Sequence, residues 1–216
     1  MGRRTTRTNV RAIYQHLYKV LGPQKWWPAD SPFEVIIGAI LTQNTSWNNV
    51  ERAIQNLKQR ELLDPLKLYD VREGRLASII KPSGFFNIKA KRVKHFIHFF
   101  FEYFQGSIKK MFGEDMLPLR EKLLKVNGLG PETVDSILLY AGGKPIFVVD
   151  AYTKRIFSRH KLVPEEADYD EIQRLFMNNL DHDVKLFNEY HALLVYVGKH
   201  YCKSEPRCDP CPMNGV

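Results

Sequence analysis

The sequence predicts an all-α chain, and three observations predict it. Apolar residues recur three and four apart along most of the chain, the period that lines one face of a helix. Helix start and stop signals punctuate those stretches, among them Gly22-Pro23, Ser31-Pro32-Phe33-Glu34 and Gly130-Pro131. No alternating pattern of useful strand length appears, because the apolar run at 146–149 is too short to found a sheet.

Taken in order, residues 1–8 are polar and basic and read as a loose start. Val10, Ile13, Tyr14, Leu17 and Val20 form one face of a helix that Gly22-Pro23 ends. Two adjacent tryptophans before a proline cannot both face one core from a regular helix, so Trp26-Trp27-Pro28 reads as a loop presenting aromatic surface. The alternative is that both rings plug a seam between domains. Ser31 caps the next helix, with Pro32 first and Glu34 placed to complete a capping box. Residues 33–41 are apolar almost all round and predict a buried helix. Gln43 to Trp47 interrupts it, and a further helix covers 48–60. Residues 64–80 give short helices punctuated by Pro65 and Gly74. A turn at 82–87 carries two exposed aromatics, Phe85 and Phe86, ahead of a basic, aromatic helix over 89–104. The chain then closes with helices at 152–160, 168–179 and 184–200.

Between these lies a different pattern. Residues 119–126 form a short amphipathic helix, Gly128 and Gly130 break it, and Pro131 opens a second helix whose Val134, Ile137, Leu138 and Ala141 recur at helical spacing. A Gly128-Leu129-Gly130 hairpin leaves backbone N–H groups without intrahelical partners, which suits an anion and particularly a DNA phosphate. Joining two packed helices is its ordinary alternative use. Asp150 ends the apolar run and precedes the helical pattern of Tyr152, Ile156 and Phe157. A carboxylate there serves as a plain N-cap or as a group aimed into a cleft.

Lys and Arg total 32 against 24 Asp and Glu, a net charge of +8 and a pI near 9.3, which favours an anionic partner. The cations crowd between Lys81 and Lys110, where Glu102 is the single acid. No apolar run approaches the roughly 20 residues that span a bilayer, and no signal-peptide core follows Met1, so an intracellular protein without a membrane partner is expected. Cys202, Cys208 and Cys211 are the only cysteines; clustered and odd in number, they suit metal ligation better than a disulfide framework.

Leu41-Thr42-Gln43-Asn44-Thr45, Gly84-Phe85-Phe86-Asn87-Ile88-Lys89-Ala90, the hairpin, Val148-Val149-Asp150 and the cysteine run follow one another in a recognisable order. Over residues 24–216 they resemble the helix-hairpin-helix base-excision DNA glycosylases related to endonuclease III and, within them, the 3-methyladenine DNA glycosylase III branch. The resemblance implies that family's fold, with a helical lobe over 24–144, a second lobe from 1–23 plus 145–216, and an active cleft between the two. Asp150 and Glu132 would stand at the mouth of that cleft. Asp150 would stabilise the positive charge that N-glycosidic cleavage builds on the sugar. Glu132 occupies the place of the lysine that attacks C1′ in bifunctional members, although a carboxylate in a first helical turn is also favoured by the macrodipole. Gln43 would lie in a loop reaching into the duplex, a helix-capping amide being the alternative. Trp26, Trp27, Pro28 and Trp47 would line the base pocket. Phe85 or Phe86 would wedge the base stack, with Lys89, Gly128, Leu129 and Gly130 on the DNA.

The cysteines resemble a 4Fe-4S loop with a first gap one residue shorter than usual. A fourth cysteine at the usual spacing would fall at position 217, so no fourth ligand is identified. The implied activity is a monofunctional glycosylase, acting as a monomer and removing N-alkylated purines of the 3-methyladenine type as bases flipped from double-stranded DNA. An endonuclease III-like enzyme for oxidised or deaminated pyrimidines and a non-catalytic helix-hairpin-helix DNA-binding protein are the alternatives.

Overall fold

The computed structural model describes residues 10–24 and 29–215, and every regular element among them is helical. Helix α1 spans Val10–Leu21, α2 Pro32–Thr42, α3 Trp47–Gln59, α4 Pro65–Asp70, α5 Glu73–Ile79 and α6 Phe86–Phe104. They are followed by α7 Ile108–Phe112, α8 Met116–Leu124, α9 Pro131–Ser136, α10 Ala151–Arg159, α11 Tyr169–Asn179 and α12 Val184–His200. The chain divides into two compact units, Trp27–Lys144 and Met1–Trp26 with Pro145–Val216.

Helix α2 is the centre of the first unit. It is apolar all round because it is enclosed all round: every residue from Phe33 to Leu41 is buried, and α3, α6 and α9 pack on it. Ile36, Ile37, Ile40 and Leu41 have no exposed surface, each contributing about 1.5–3 kcal/mol over an exposed position. Ser31 caps the helix by accepting the Glu34 N–H at 3.2 Å. The predicted capping box does not close, however, because the Glu34 carboxylate accepts the N–H of Asp30 (3.1 Å) and pairs with the Lys58 ammonium (2.7 Å). Lys58 also bonds Asp30 at 2.7 Å, so α3 and the residues before α2 are fastened by one cation.

Pro65 follows its Asp64 cap as expected, whereas Gly74 lies within the first turn of α5 and interrupts nothing. Helix α6 starts earlier than its pattern suggests. On its interior face Phe100 stacks on Phe33 of α2 and on Phe96, with Ile97 buried beside them, while Lys94 donates to the carbonyls of Leu68 and Val71, each at 3.0 Å, at the C-terminal end of α4. Helix α8 begins at Met116 and carries Pro118 in its first turn, where a missing N–H costs nothing. Helix α9 runs on into a π-turn, Ile137–Ala141, closed by the Gly142 N–H on the Ile137 carbonyl at 3.0 Å.

The second unit is built around Phe147. Its ring stacks on Phe176 of α11 with centroids 3.8 Å apart and meets Phe187 and Tyr190 of α12 edge-on. The apolar run at 146–149 therefore enters the core as extended chain, and Gln173 satisfies the Phe147 carbonyl at 2.6 Å. Helix α1 buries Val10, Ile13 and Leu17 and leaves Val20 on the surface; its first carbonyl accepts the Tyr190 hydroxyl at 3.0 Å. Gly198 of α12 lets Tyr152 of α10 lie directly on the helix, since a Cβ there would fall 2.6 Å from Tyr152 Cγ. Among the described residues no helix is long and apolar enough to cross a membrane.

Candidate functional site

In the first unit the hairpin between α8 and α9 is braced from several sides. The Leu129 N–H closes the turn on the Val126 carbonyl at 3.1 Å, and the buried Leu129 side chain anchors it. Gly128 has φ +92, a conformation that side chains resist. Behind it, a bidentate pair from Arg120 of α8 to Asp135 of α9 (2.6 and 3.0 Å) clamps the two helices together, with the carboxylate fully buried.

Gln43 is engaged here and not in an open loop. Its amide nitrogen donates to the Gly128 carbonyl (3.0 Å) and to Thr133 Oγ1 (2.9 Å), and its oxygen accepts from Arg92. His95 Nδ1 lies 3.1 Å from the Asn127 carbonyl. Gln43 therefore supports the hairpin, and reaching into a duplex would require it to leave these partners. Glu132 is exposed in the first turn of α9.

The Phe85-Phe86 turn is more sharply divided than its sequence suggests. Phe85 is 66% exposed and holds the left-handed conformation at φ 44, which is strained for a non-glycine residue. Phe86 opens α6 and is half-buried, so one of the two phenylalanines is presented to solvent and not both.

Lys89 corrects the sequence reading outright. With 1% of its surface exposed, it has no face to offer a phosphate; its ammonium donates to the Leu41 carbonyl (2.8 Å) and the Ser83 carbonyl (2.6 Å). It ties the end of α2 to the Phe85 turn. Burial pushes its pKa down to about 8, with the Arg92 charge adding to the effect. The unfolded chain, at 10.5, holds a proton that the folded chain has released between pH 8 and 10.5, so this group makes stability rise with pH across that window. Comparing wild type with Lys89→Met in urea, the difference is expected to shift towards wild type from pH 8 to 10.5. A flat difference would remove the assignment.

Trp47 opens α3, half-buried, beside a cavity of about 360 Å³. Gly38 of α2 and Glu51, Ile54 and Gln55 of α3 complete much of its wall. Trp26, Trp27 and Pro28 lie outside the described residues.

In the second unit Asp150 is the N-cap of α10, accepting the Thr153 N–H at 2.7 Å, and 11% of its side chain is exposed. His191 of α12, which the sequence reading passed over, places Nε2 3.6 Å from the other carboxylate oxygen. Burial alone would raise the Asp150 pKa, but the His191 charge and the Thr153 N–H outweigh it and hold the group below the ordinary carboxylate value. Asp150 is thus a carboxylate whose charged form is favoured in a nearly dry setting. The signal for His191 was a histidine on the apolar face of a helix, which ordinary packing explains equally well.

The cysteine loop is shaped by arginines. Arg155 of α10 donates to the carbonyls of Cys202 (2.7 Å) and Gly198 (3.1 Å), while Arg159 reaches Cys202 Sγ (3.4 Å) and the Ser204 carbonyl (3.2 Å). Cys202 is buried, Cys208 exposed and Cys211 half-buried. Among the described residues no three His, Cys, Asp or Glu side chains are grouped to hold a metal, and Cys202, Cys208 and Cys211 leave a 4Fe-4S cluster without an identified fourth ligand. Cys202 Sγ accepts from Arg159, and Cys211 lies within electrostatic reach of both other thiols.

Comparison with known proteins gives this geometry its context. A Methanocaldococcus jannaschii protein whose name proposes it as a DNA repair glycosylase is 50% identical over 206 residues, 94% of this chain and 93% of that protein. The crystal structure of H. pylori 3-methyladenine DNA glycosylase (MagIII) bound to 1,N6-ethenoadenine superposes with a TM-score of 0.75 at 32% identity, covering 88% of this chain and 95% of that one. A trapped endonuclease III–DNA covalent intermediate matches with a TM-score of 0.83 at 20% identity, over 96% of this chain and 93% of that one, and so shares the fold. The pattern of one superfamily matches residues 37–182, a span that takes in the braced hairpin and Asp150 alike, and the chain therefore belongs to the HhH-GPD superfamily of base excision DNA repair proteins.

Proposed function

We propose that the chain is a monofunctional DNA glycosylase that hydrolyses the N-glycosidic bond of N-alkylated purines of the 3-methyladenine type in duplex DNA. The observation that supports this reading is Asp150, a nearly buried carboxylate whose charged form is favoured; the family resemblance adds Glu132 at the position of an attacking lysine. As the bond to the base lengthens, positive charge grows on the sugar, and a fixed carboxylate that has already lost most of its water stabilises it without reorganising. The same carboxylate orients the water that adds to C1′. With no amine at position 132 there is no Schiff base and no strand cleavage, and the product is an abasic site.

Substrate choice is assigned to Trp47. Alkylation at N3 or N7 leaves a cationic base that is already a good leaving group, so the enzyme's task is to tell it from normal purines. Stacking on Trp47 favours the cation by about 0.5–2 kcal/mol. The 32% identity to a 3-methyladenine DNA glycosylase supports the same choice. Base flipping into such a pocket supplies the reach, with Phe85 as the side chain that fills the gap in the stack. The exposure and strained backbone of Phe85 favour it over Phe86.

The test is a panel of defined lesion duplexes. Free 3-methyladenine is expected in the supernatant, with strands intact until alkali or heat and no covalent adduct after borohydride. Efficient trapping would overturn the monofunctional reading, and release of oxidised pyrimidines with no alkylpurine release would overturn the substrate.

A further inference from the structure

The hairpin needs a cation if it is to hold a phosphate firmly, and Lys89 cannot be that cation. Arg92, one turn later on α6, is placed to act. Its stem crosses Gly128 so closely that a Cβ on residue 128 would stand 2.9 Å from Arg92 Cδ and 3.0 Å from Nε. One guanidinium nitrogen, Nη1, is pinned by Gln43 Oε1, and Gln43 is itself fixed to the Gly128 carbonyl and to Thr133.

The remaining edge of the guanidinium, Nε and Nη2, donates to no acceptor among the described residues, and the side chain is half-exposed. No carboxylate pairs with it, in contrast to Arg11, Lys58, Lys67, Arg120 and Lys122, each of which has an acidic partner. The main-chain amides of Gly128 and Gly130 also lack a main-chain acceptor among the described residues. An aimed, uncompensated guanidinium thus lies beside unpaired amides.

We propose that Arg92 is a phosphate-binding residue of this chain, its free edge donating to a phosphodiester oxygen of DNA at the hairpin, and that Gln43 is the positioning residue that aims it. The proposal rests on the reading of the chain as a DNA-acting enzyme. Arginine suits the task because its planar fork matches two oxygens of one phosphate, and because holding one nitrogen on Gln43 fixes the plane of the rest. The glycine at 128 then has a second purpose besides its positive φ: it makes room for the stem that carries the charge.

The experiment is a salt series of equilibrium binding, using the full chain with an undamaged duplex and with a duplex holding a stable abasic-site analogue. Arg92→Met keeps a stem over Gly128 and removes the charge; Arg92→Lys keeps the charge and loses the fork. For Arg92→Met the slope of log affinity against log salt is expected to fall by about 0.9, with binding of both duplexes roughly three- to tenfold weaker at low salt. Arg92→Lys is expected to keep the wild-type slope. Unfolding midpoints report that each variant is folded, and Arg92→Gln carries the same readout should Arg92→Met fail to fold. A wild-type slope in the folded neutral variant overturns the proposal, as does an equal loss of slope in Arg92→Lys, which would make Arg92 only a brace for Gln43. Wild type that binds DNA at no salt concentration overturns the parent reading and this one together, so the two failures are distinguishable.

Discussion

Asp150→Asn is expected to lower base release by about 10²- to 10⁴-fold and to leave the fold and the affinity for an abasic-analogue duplex nearly unchanged. The substitution is close to isosteric, and asparagine caps helices about as well as aspartate, so the bond from Thr153 and the start of α10 survive. What disappears is the negative charge that the proposed mechanism sets against the sugar. Single-turnover release of 3-methyladenine read alongside duplex affinity separates the two effects. Release within a fewfold of wild type would show that Asp150 is a cap and nothing more. The charge also sets an acid limit. Because the folded pKa lies below the ordinary value of 3.8, the stability Asp150 contributes is fully present above that value and is lost as pH falls through the depressed pKa.

The other large effect lies in the hairpin clamp. Arg120→Met is expected to destabilise the protein by about 3–5 kcal/mol, because it removes the bidentate partner of a carboxylate that has no exposed surface. Replacing both partners with apolar residues, as in Arg120→Met with Asp135→Leu, is expected to recover most of that loss, since the buried charge goes with its partner. Urea unfolding of the single and double variants measures both numbers. A single variant within about 1 kcal/mol of wild type would show that the Asp135 carboxylate finds full compensation elsewhere.

Much of this architecture was legible from the order of residues. Period and caps located the helices because both are local: Ser31 with Pro32, Asp64 with Pro65 and Gly22 after Leu21 act within a turn of themselves. Asp150 was legible for the same reason, as a carboxylate before a helical pattern. Contacts the sequence did not reveal are those between residues that lie far apart along the chain. Lys89 looked like one cation in a basic stretch, and only the arrival of the Leu41 carbonyl beside the Ser83 carbonyl makes it an interior group. Gln43, Arg92 and Thr133 come from separate segments, so no spacing rule relates them. The cysteine spacing is a strong local signal, and the contact of Arg159 with the first thiol is one that spacing does not reveal.

The Tyr190 hydroxyl bond to the Val10 carbonyl joins positions that are 180 residues apart. A nascent chain makes α1 long before it makes α12, so the first helix has to wait while the whole of the Trp27–Lys144 unit is synthesised. That unit is contiguous and can condense while the ribosome is still at work, whereas the other can begin only when its two halves meet. Loop-closure entropy grows slowly with length, at about 0.6 kcal/mol per doubling, so the long detour is a modest thermodynamic burden. Its weight falls on kinetics, where non-local contacts slow folding. The carboxylate at position 150 belongs to the unit that is completed last, so the setting that favours its charge is assembled late.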